Sequence, residues 1–155
     1  MKISVFSDSH GHADNMLLAI EQNAPDMIIH LGDGGSDIAK IEKQFPKIPL
    51  RAVRGNCDLS SELPETALFS VGGVKIFITH GHIYGVKRTL LPLIDEAAGR
   101  GADIVMFGHT HIAKYSMAGG LYVLNPGACG HSISASYAEV EISDKREIFC
   151  RILRF

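Results

Sequence analysis

The chain reads as one mixed α/β domain spanning residues 1–155, and three observations carry that reading. The first half alternates short apolar runs with helical patterns in the order β-α-β-α-β, which builds a parallel sheet. The second half turns to paired apolar runs joined through glycine-containing turns, as in antiparallel hairpins. Five of the apolar runs also end, within a few residues, in an aspartate, asparagine or histidine. With 46% hydrophobic and 21% charged side chains in 155 residues, the composition suits a globular chain able to bury a sizeable core.

Ile3-Ser4-Val5-Phe6 forms the first strand and runs into Ser7-Asp8-Ser9-His10-Gly11-His12. A helix is expected from about Asp14, with Met16, Leu17 and Ile20 on one face. Pro25 closes that connection, and residues 27–31 make a second strand that empties into Gly32-Asp33-Gly34-Gly35. Ser36 or Asp37 is placed to cap the next helix, whose core-facing stripe is Ile38, Ile41 and Phe45. Residues 50–53 are the third strand, followed by Gly55-Asn56-Cys57-Asp58.

Beyond that point, residues 66–71 and 74–79 flank Gly72-Gly73, a two-residue hairpin turn. The second of these strands ends in Thr79-His80-Gly81-His82. The next helix contains Leu90, Leu91, Ile94 and Ala97, with Pro92 near its start and Gly99 or Gly101 near its end. Its leucines and isoleucine are expected in the core. Residues 104–107 form a buried strand that leads into Gly108-His109-Thr110-His111. Two hairpins close the chain, residues 113–124 and 137–153, with Asn125-Pro126-Gly127 between them.

Charge excludes some partners. The formal net charge is −2 and the only adjacent basic pairs are Lys87-Arg88 and Lys145-Arg146, so a nucleic-acid backbone is not expected as the main partner. No apolar run approaches a membrane span, and the first segment reaches Ser7 and Asp8 too soon for a signal peptide. Cys57, Cys129 and Cys150 have neither disulfide nor metal spacing, which suits a reducing interior. The cytoplasm is the expected location.

The ends of the strands carry the chemistry. Asp8 with His10, Asp33, Asn56, His80, and His109 with His111 all follow apolar runs, and in α/β sheets ligands bind beyond the carboxyl ends of strands. On an extended backbone, His109 and His111 would point to opposite sides. Each could bind a different ion, one could face substrate, or the pair could belong to a surface loop. Two carboxylates, four imidazoles and an amide are too many donors for one four-coordinate zinc. They suit two divalent ions that share a carboxylate.

The series Asp8-Ser9-His10, Gly32-Asp33, Gly55-Asn56-Cys57-Asp58, Thr79-His80-Gly81-His82 and Gly108-His109-Thr110-His111 resembles the calcineurin-like metallophosphoesterases. It is most similar to their small single-domain phosphodiesterase branch, which also resembles the retromer subunit Vps29. The Asn125-Pro126-Gly127 loop matches as well, so nearly the whole chain is covered. The resemblance implies a β-sandwich of two sheets flanked by helices, with two metals at one edge. Asp8, His10, Asp33 and His111 would hold one ion. Asp33, Asn56, His80 and His109 would hold the other, with Asp33 bridging.

The implied activity is hydrolysis of a small phosphodiester by in-line attack of a metal-bridging hydroxide. Asp33, Asn56, Asp58 and His80 would be the catalytic set, with Asp58 orienting a ligand such as His10. Mn²⁺ is the first expectation, with Fe, Zn, Ni and Mg as alternatives. Many relatives place a histidine, the donor to the leaving group, where this chain has Cys57. A thiol with a pKa of about 8.5 is a weaker substitute, so good leaving groups or a proton from His82 or His131 are expected. Asn56, Cys57 and His82 are candidate substrate contacts, as is His12, which reads equally as a solvent-facing loop residue. His30, inside a strand, reads as structural. A phosphomonoesterase and a largely non-catalytic interaction scaffold are the competing readings, and a homo-oligomer is compatible with all three.

Overall fold

The computed structural model describes residues 1–130 and 133–155. Its first half follows the β-α-β-α-β order as β1 (Lys2–Phe6), α1 (Asp14–Asn23), β2 (Met27–His30), α2 (Gly35–Gln44) and β3 (Leu50–Ala52). There follow β4 (Thr66–Val71), β5 (Val74–Thr79), one 3-10 turn at His82–Tyr84, α3 (Leu91–Gly99) and β6 (Ile104–Met106). The chain closes with β7 (Lys114–Ala118), β8 (Leu121–Asn125), β9 (Ser136–Ile142) and β10 (Ile148–Arg154).

These strands make two five-stranded sheets, ordered β10-β9-β1-β2-β3 and β4-β5-β6-β8-β7. In the first sheet β1, β2 and β3 run parallel, β9 pairs antiparallel with β1, and β10 pairs antiparallel with β9 at the edge. In the second, β5, β6 and β8 run parallel, with β4 and β7 antiparallel on the outside.

Side-chain alternation sorts the core into layers, because successive residues of a strand face opposite sides. Val5, Ile29, Ile76, Ile78, Ile104 and Met106 face inward and fill the space between the sheets. Their neighbours Phe6 and Ile28 face outward and pack under Met16, Ile20 and Ile41 of α1 and α2. Phe77, Val105 and Phe107 meet Leu93 and Ala97 of α3 on the other outer face. Each such aliphatic side chain taken from water contributes about 1.5–3 kcal/mol. β2 and β6 read as largely apolar runs for this reason: both of their faces are covered, whereas β3 carries exposed Arg51. The result is the helix-flanked two-sheet sandwich that the resemblance implies.

Three local expectations are corrected. The stripe on α3 is not uniformly core: Leu93 and Ala97 are buried, Leu90 and Ile94 half-buried, and Leu91 is 66% exposed. Neither Ser36 nor Asp37 caps α2; the cap position is Gly34, without a side-chain bond. The carboxylate of Asp58 supplies the missing acceptor by taking the Gly35 N–H at 2.8 Å. Leu31, Val53 and Phe107 lie just past their strands, already in the loops that form the site. Among the described residues no helix is long and apolar enough to cross a membrane.

Candidate metal centre

Every parallel strand delivers a polar residue to one rim. Asp8 follows β1, Asp33 follows β2 and Asn56 follows β3, while His80 follows β5, His109 follows β6, and Asn125 ends β8. The two sheets therefore contribute to the site from opposite sides of the sandwich.

Asp8 stands at its centre and is buried. Its Oδ2 accepts from the Ser7 hydroxyl at 2.6 Å and from the His109 backbone N–H at 3.0 Å. Its Oδ1 is buried and, among the described residues, has no hydrogen-bond donor. Around that oxygen stand three imidazole Nε2 atoms: His111 at 3.1 Å, His10 at 3.9 Å and His80 at 3.9 Å. The Nε2 atoms of His10 and His111 are 3.4 Å apart.

Asp33 is the second buried carboxylate. Its Oδ1 accepts the Cys57 backbone N–H at 2.8 Å, and its Oδ2 lies 3.4 Å from His80 Nε2 and 4.0 Å from His10 Nε2. Among the described residues, three groups of candidate ligand atoms fall within 4.8 Å of one another: Asp8-His10-His111, His10-Asp33-Cys57 and Asp33-His80-His109. His10 and Asp33 each occur in two of them. Asn56, exposed, brings its Oδ1 to 3.2 Å from His80 Nε2.

The donor set fits divalent cations. A buried carboxylate oxygen without a donor costs several kcal/mol unless a positive charge compensates it. Imidazole ring nitrogens and carboxylate oxygens that converge this closely are the ligand types of first-row divalent ions.

Outer contacts orient the candidate ligands. His80 Nδ1 is 2.8 Å from the Leu31 carbonyl, which places the proton on Nδ1 and turns the Nε2 lone pair inward. Asp58 accepts the Asp33 and Gly55 backbone N–H groups, both at 2.8 Å, so the candidate ligand whose loop it holds is Asp33. Close approach matters at Gly55 and Gly108: a Cβ on the first would collide with Asp33 Oδ1, and on the second with Ser7 Oγ.

The backbone is strained here. Asp8, His10, Asp33, His109 and His111 all have positive φ, between 48° and 66°. The turn at 108–111 is thus not extended, and left-handed residues rather than strand alternation direct its two histidines. They still separate, His111 to the Asp8 group and His109 to the Asp33 group.

The charges follow from this packing. Burial opposes ionisation of Asp33, but the nearby His80 and the Cys57 backbone N–H outweigh it and hold the carboxyl well below the usual range. Burial likewise opposes charge on His80, yet Asp33 and Asp8 raise its pKa. Burial and the nearby His80 push His109 and His82 down. The Asp33 carboxylate, then partial burial, raise the Cys57 thiol.

Of the remaining candidates, His82 packs its ring 5.4 Å from His80 and 6.2 Å from His109 and has a buried Nδ1 with no partner. His12 lines a 180 Å³ cavity with His10 and His111. His30 is fully buried, its Nδ1 accepting from the Gly32 N–H at 3.2 Å and its Nε2 3.4 Å from Ser9 Oγ. His131 lies outside the described residues. Sequence reasoning missed Asp37, whose buried carboxylate takes the Ser9 hydroxyl at 2.7 Å and the Gly11 N–H at 2.9 Å and so pins the loop that carries His10. It also missed what Asn125 does: the amide donates to the Gly108 carbonyl at 2.9 Å and to Thr110 Oγ1 at 3.1 Å, which secures the histidine turn.

Comparison with known proteins gives the family. A probable metallophosphoesterase of Bacillus subtilis, YsnB, is 35% identical over 131 residues, covering 83% of this chain and 75% of its own. Phosphodiesterase MJ0936 of Methanocaldococcus jannaschii is 30% identical over 147 residues, covering 83% of this chain and 84% of its own. Entamoeba histolytica Vps29 shares the fold, with a TM-score of 0.78 at 23% identity over 100% of this chain and 99% of that one. The profile of the calcineurin-like phosphoesterase superfamily domain matches residues 1–145, and the chain belongs to that family.

Proposed function

We propose that this protein is a dinuclear metal-dependent phosphodiesterase. The observation that carries the reading is the shared position of Asp33, which stands between one group of ligand atoms containing His10 and another containing His80 and His109. Asp8, His10, Asp33 and His111 would hold one divalent ion, and Asp33, Asn56, His80 and His109 the other. What a bound pair of cations supplies is an acidified water and neutralisation of charge on the phosphoryl oxygens. Mixed imidazole, carboxylate and amide donors accept several first-row divalent ions, and resemblance to the family makes Mn²⁺ the first choice.

The chain's own residues do the positioning. His80, locked by the Leu31 carbonyl, and Asp33, locked by Asp58 and by the Cys57 amide, converge without reorganisation. Cys57 keeps its proton tightly beside Asp33, so it is a poor donor to a departing alkoxide. Substrates with good leaving groups are therefore favoured.

Diesters are preferred to monoesters in this reading by resemblance to the small phosphodiesterase branch. The name of the Methanocaldococcus relative supports the same choice. The thiols, all unpaired, suit a cytoplasmic location.

The test is metal-dependent hydrolysis of a chromogenic phosphodiester and of the matching monoester, with Asp33→Ala alongside. The diester should be cleaved faster and the variant should be inactive. Equal rates for wild type and variant would expose a contaminant, and a faster monoester would reverse the substrate class.

A further inference from the structure

Among the described residues, three hollows large enough to take part of a substrate differ in chemistry. The 180 Å³ cavity between His10, His12 and His111 has room for little beyond a phosphoryl group. A 620 Å³ hollow on the Arg54 side contains two arginines, but both are already spent: Arg54 on Glu65 at 2.9 Å, Arg100 on Glu96 at 2.6 Å. The third, of 540 Å³, lies beside the histidine turn and is built differently.

Its floor is apolar, made by buried Val86 and Phe107 and half-buried Leu90. Ile112, 70% exposed, stands over that floor as an uncovered wall. Lys87 and Lys114 line the same groove, and among the described residues neither takes part in an ion pair. Thr110, between His109 and His111, also lines it, so the groove begins where the candidate ligands end. An apolar floor beside uncompensated ammonium groups matches a molecule that is apolar in body and anionic at its edge.

We propose that this groove receives the non-reacting arm of the phosphodiester substrate, and that the arm is an aromatic or similarly apolar group with an anionic substituent of its own. The proposal rests on the phosphodiesterase reading and narrows its substrate class. Ile112 and the floor hold the body of the arm, and Lys87 and Lys114 hold its charge. The other large hollow offers neither a continuous apolar floor nor an uncommitted cation.

Two p-nitrophenyl diesters test it, one with a phenyl arm and one with a para-carboxyphenyl arm. The wild type should favour the carboxylated arm by about tenfold in kcat/KM at low salt, through KM, since two exposed charge contacts contribute modestly each. The preference should shrink toward one in the Lys87→Gln/Lys114→Gln double variant, and also at high salt. A second measurement needs no turnover: calorimetric titration of naphthalenesulfonate into the protein with and without added Mn²⁺. The double variant should weaken that binding about tenfold, and Ile112→Asp should abolish it, with thermal unfolding of each variant checking its fold. A wild-type arm preference near one, a preference that the lysine variants leave in place, or sulfonate binding indifferent to them overturns the proposal. Should the wild type cleave neither diester, the phosphodiesterase reading falls, and the titration alone then decides the groove.

Discussion

Asp58 holds Asp33 from behind: its Oδ2 accepts the Asp33 backbone N–H at 2.8 Å. The same oxygen accepts Gly55 N–H at 2.8 Å, and Oδ1 accepts Gly35 N–H at 2.8 Å. One buried carboxylate thus ties the loop after β2 to the loop after β3, the loops that carry Asp33 and Asn56. Asp58→Asn leaves one side-chain oxygen to meet these amides and turns an NH₂ toward another N–H. Mn²⁺ affinity should fall about 10–100-fold, with a stability loss of about 1–3 kcal/mol. Calorimetric titration and thermal unfolding measure the two effects. An intact affinity would remove Asp58 from the positioning role.

The left-handed backbone makes a separate prediction at His111, whose φ is 59° and whose side chain is half exposed. His111→Gly and His111→Ala both delete the imidazole and should lower metal affinity alike. Only alanine keeps a Cβ in the disfavoured region, so the glycine variant should be the more stable by about 1 kcal/mol. Urea unfolding of the metal-free proteins gives the comparison. The reverse order would mean that the turn stores no strain at this residue.

His30 sets a pH dependence. Burial drives its pKa from 6.5 to about 4, against the opposing pull of Asp8, Asp58 and Asp37. Between those values the unfolded chain takes up a proton that the folded chain refuses. Stability is therefore complete above pH 6.5 and drains away as the pH falls toward 4, by up to about 3 kcal/mol. His30→Gln should flatten that stretch of the profile, measured as urea midpoints at neutral and acidic pH. Parallel profiles for variant and wild type would assign the acid loss elsewhere.

Cys57 bears on the leaving group. With its thiol raised beside Asp33, it contributes no ready proton, so rates across a series of aryl phosphodiesters should depend steeply on leaving-group pKa. Cys57→Ser should keep the slope. A shallow wild-type slope would show that some other residue donates the proton, with His82 the first to test.

Much of this was legible along the chain, and the exceptions have physical causes. Most of the parallel strands stand out because strands covered on both faces are rich in apolar residues, and their ends are marked by a change in hydropathy at Asp8, Asp33, His80 and His109. Asp37 did not stand out. In sequence it is an acidic residue in the first turn of a helix, and nothing local says that its carboxylate reaches back to Ser9 and Gly11. Leu91 failed in the opposite way: the leucine pair at 90–91 straddles the start of α3, and only packing against β6 and β8 selects which face is covered.

By itself the sequence determined the kinds of ligand atom and the strand ends at which they appear, because both follow from local polarity. Which atoms meet was decided only by tertiary structure. Asp8 leaves the first sheet and His111 the second, yet they stand 3.1 Å apart. That contact depends on how the two sheets stack and on a left-handed turn at each residue, and neither is encoded in the neighbours along the chain.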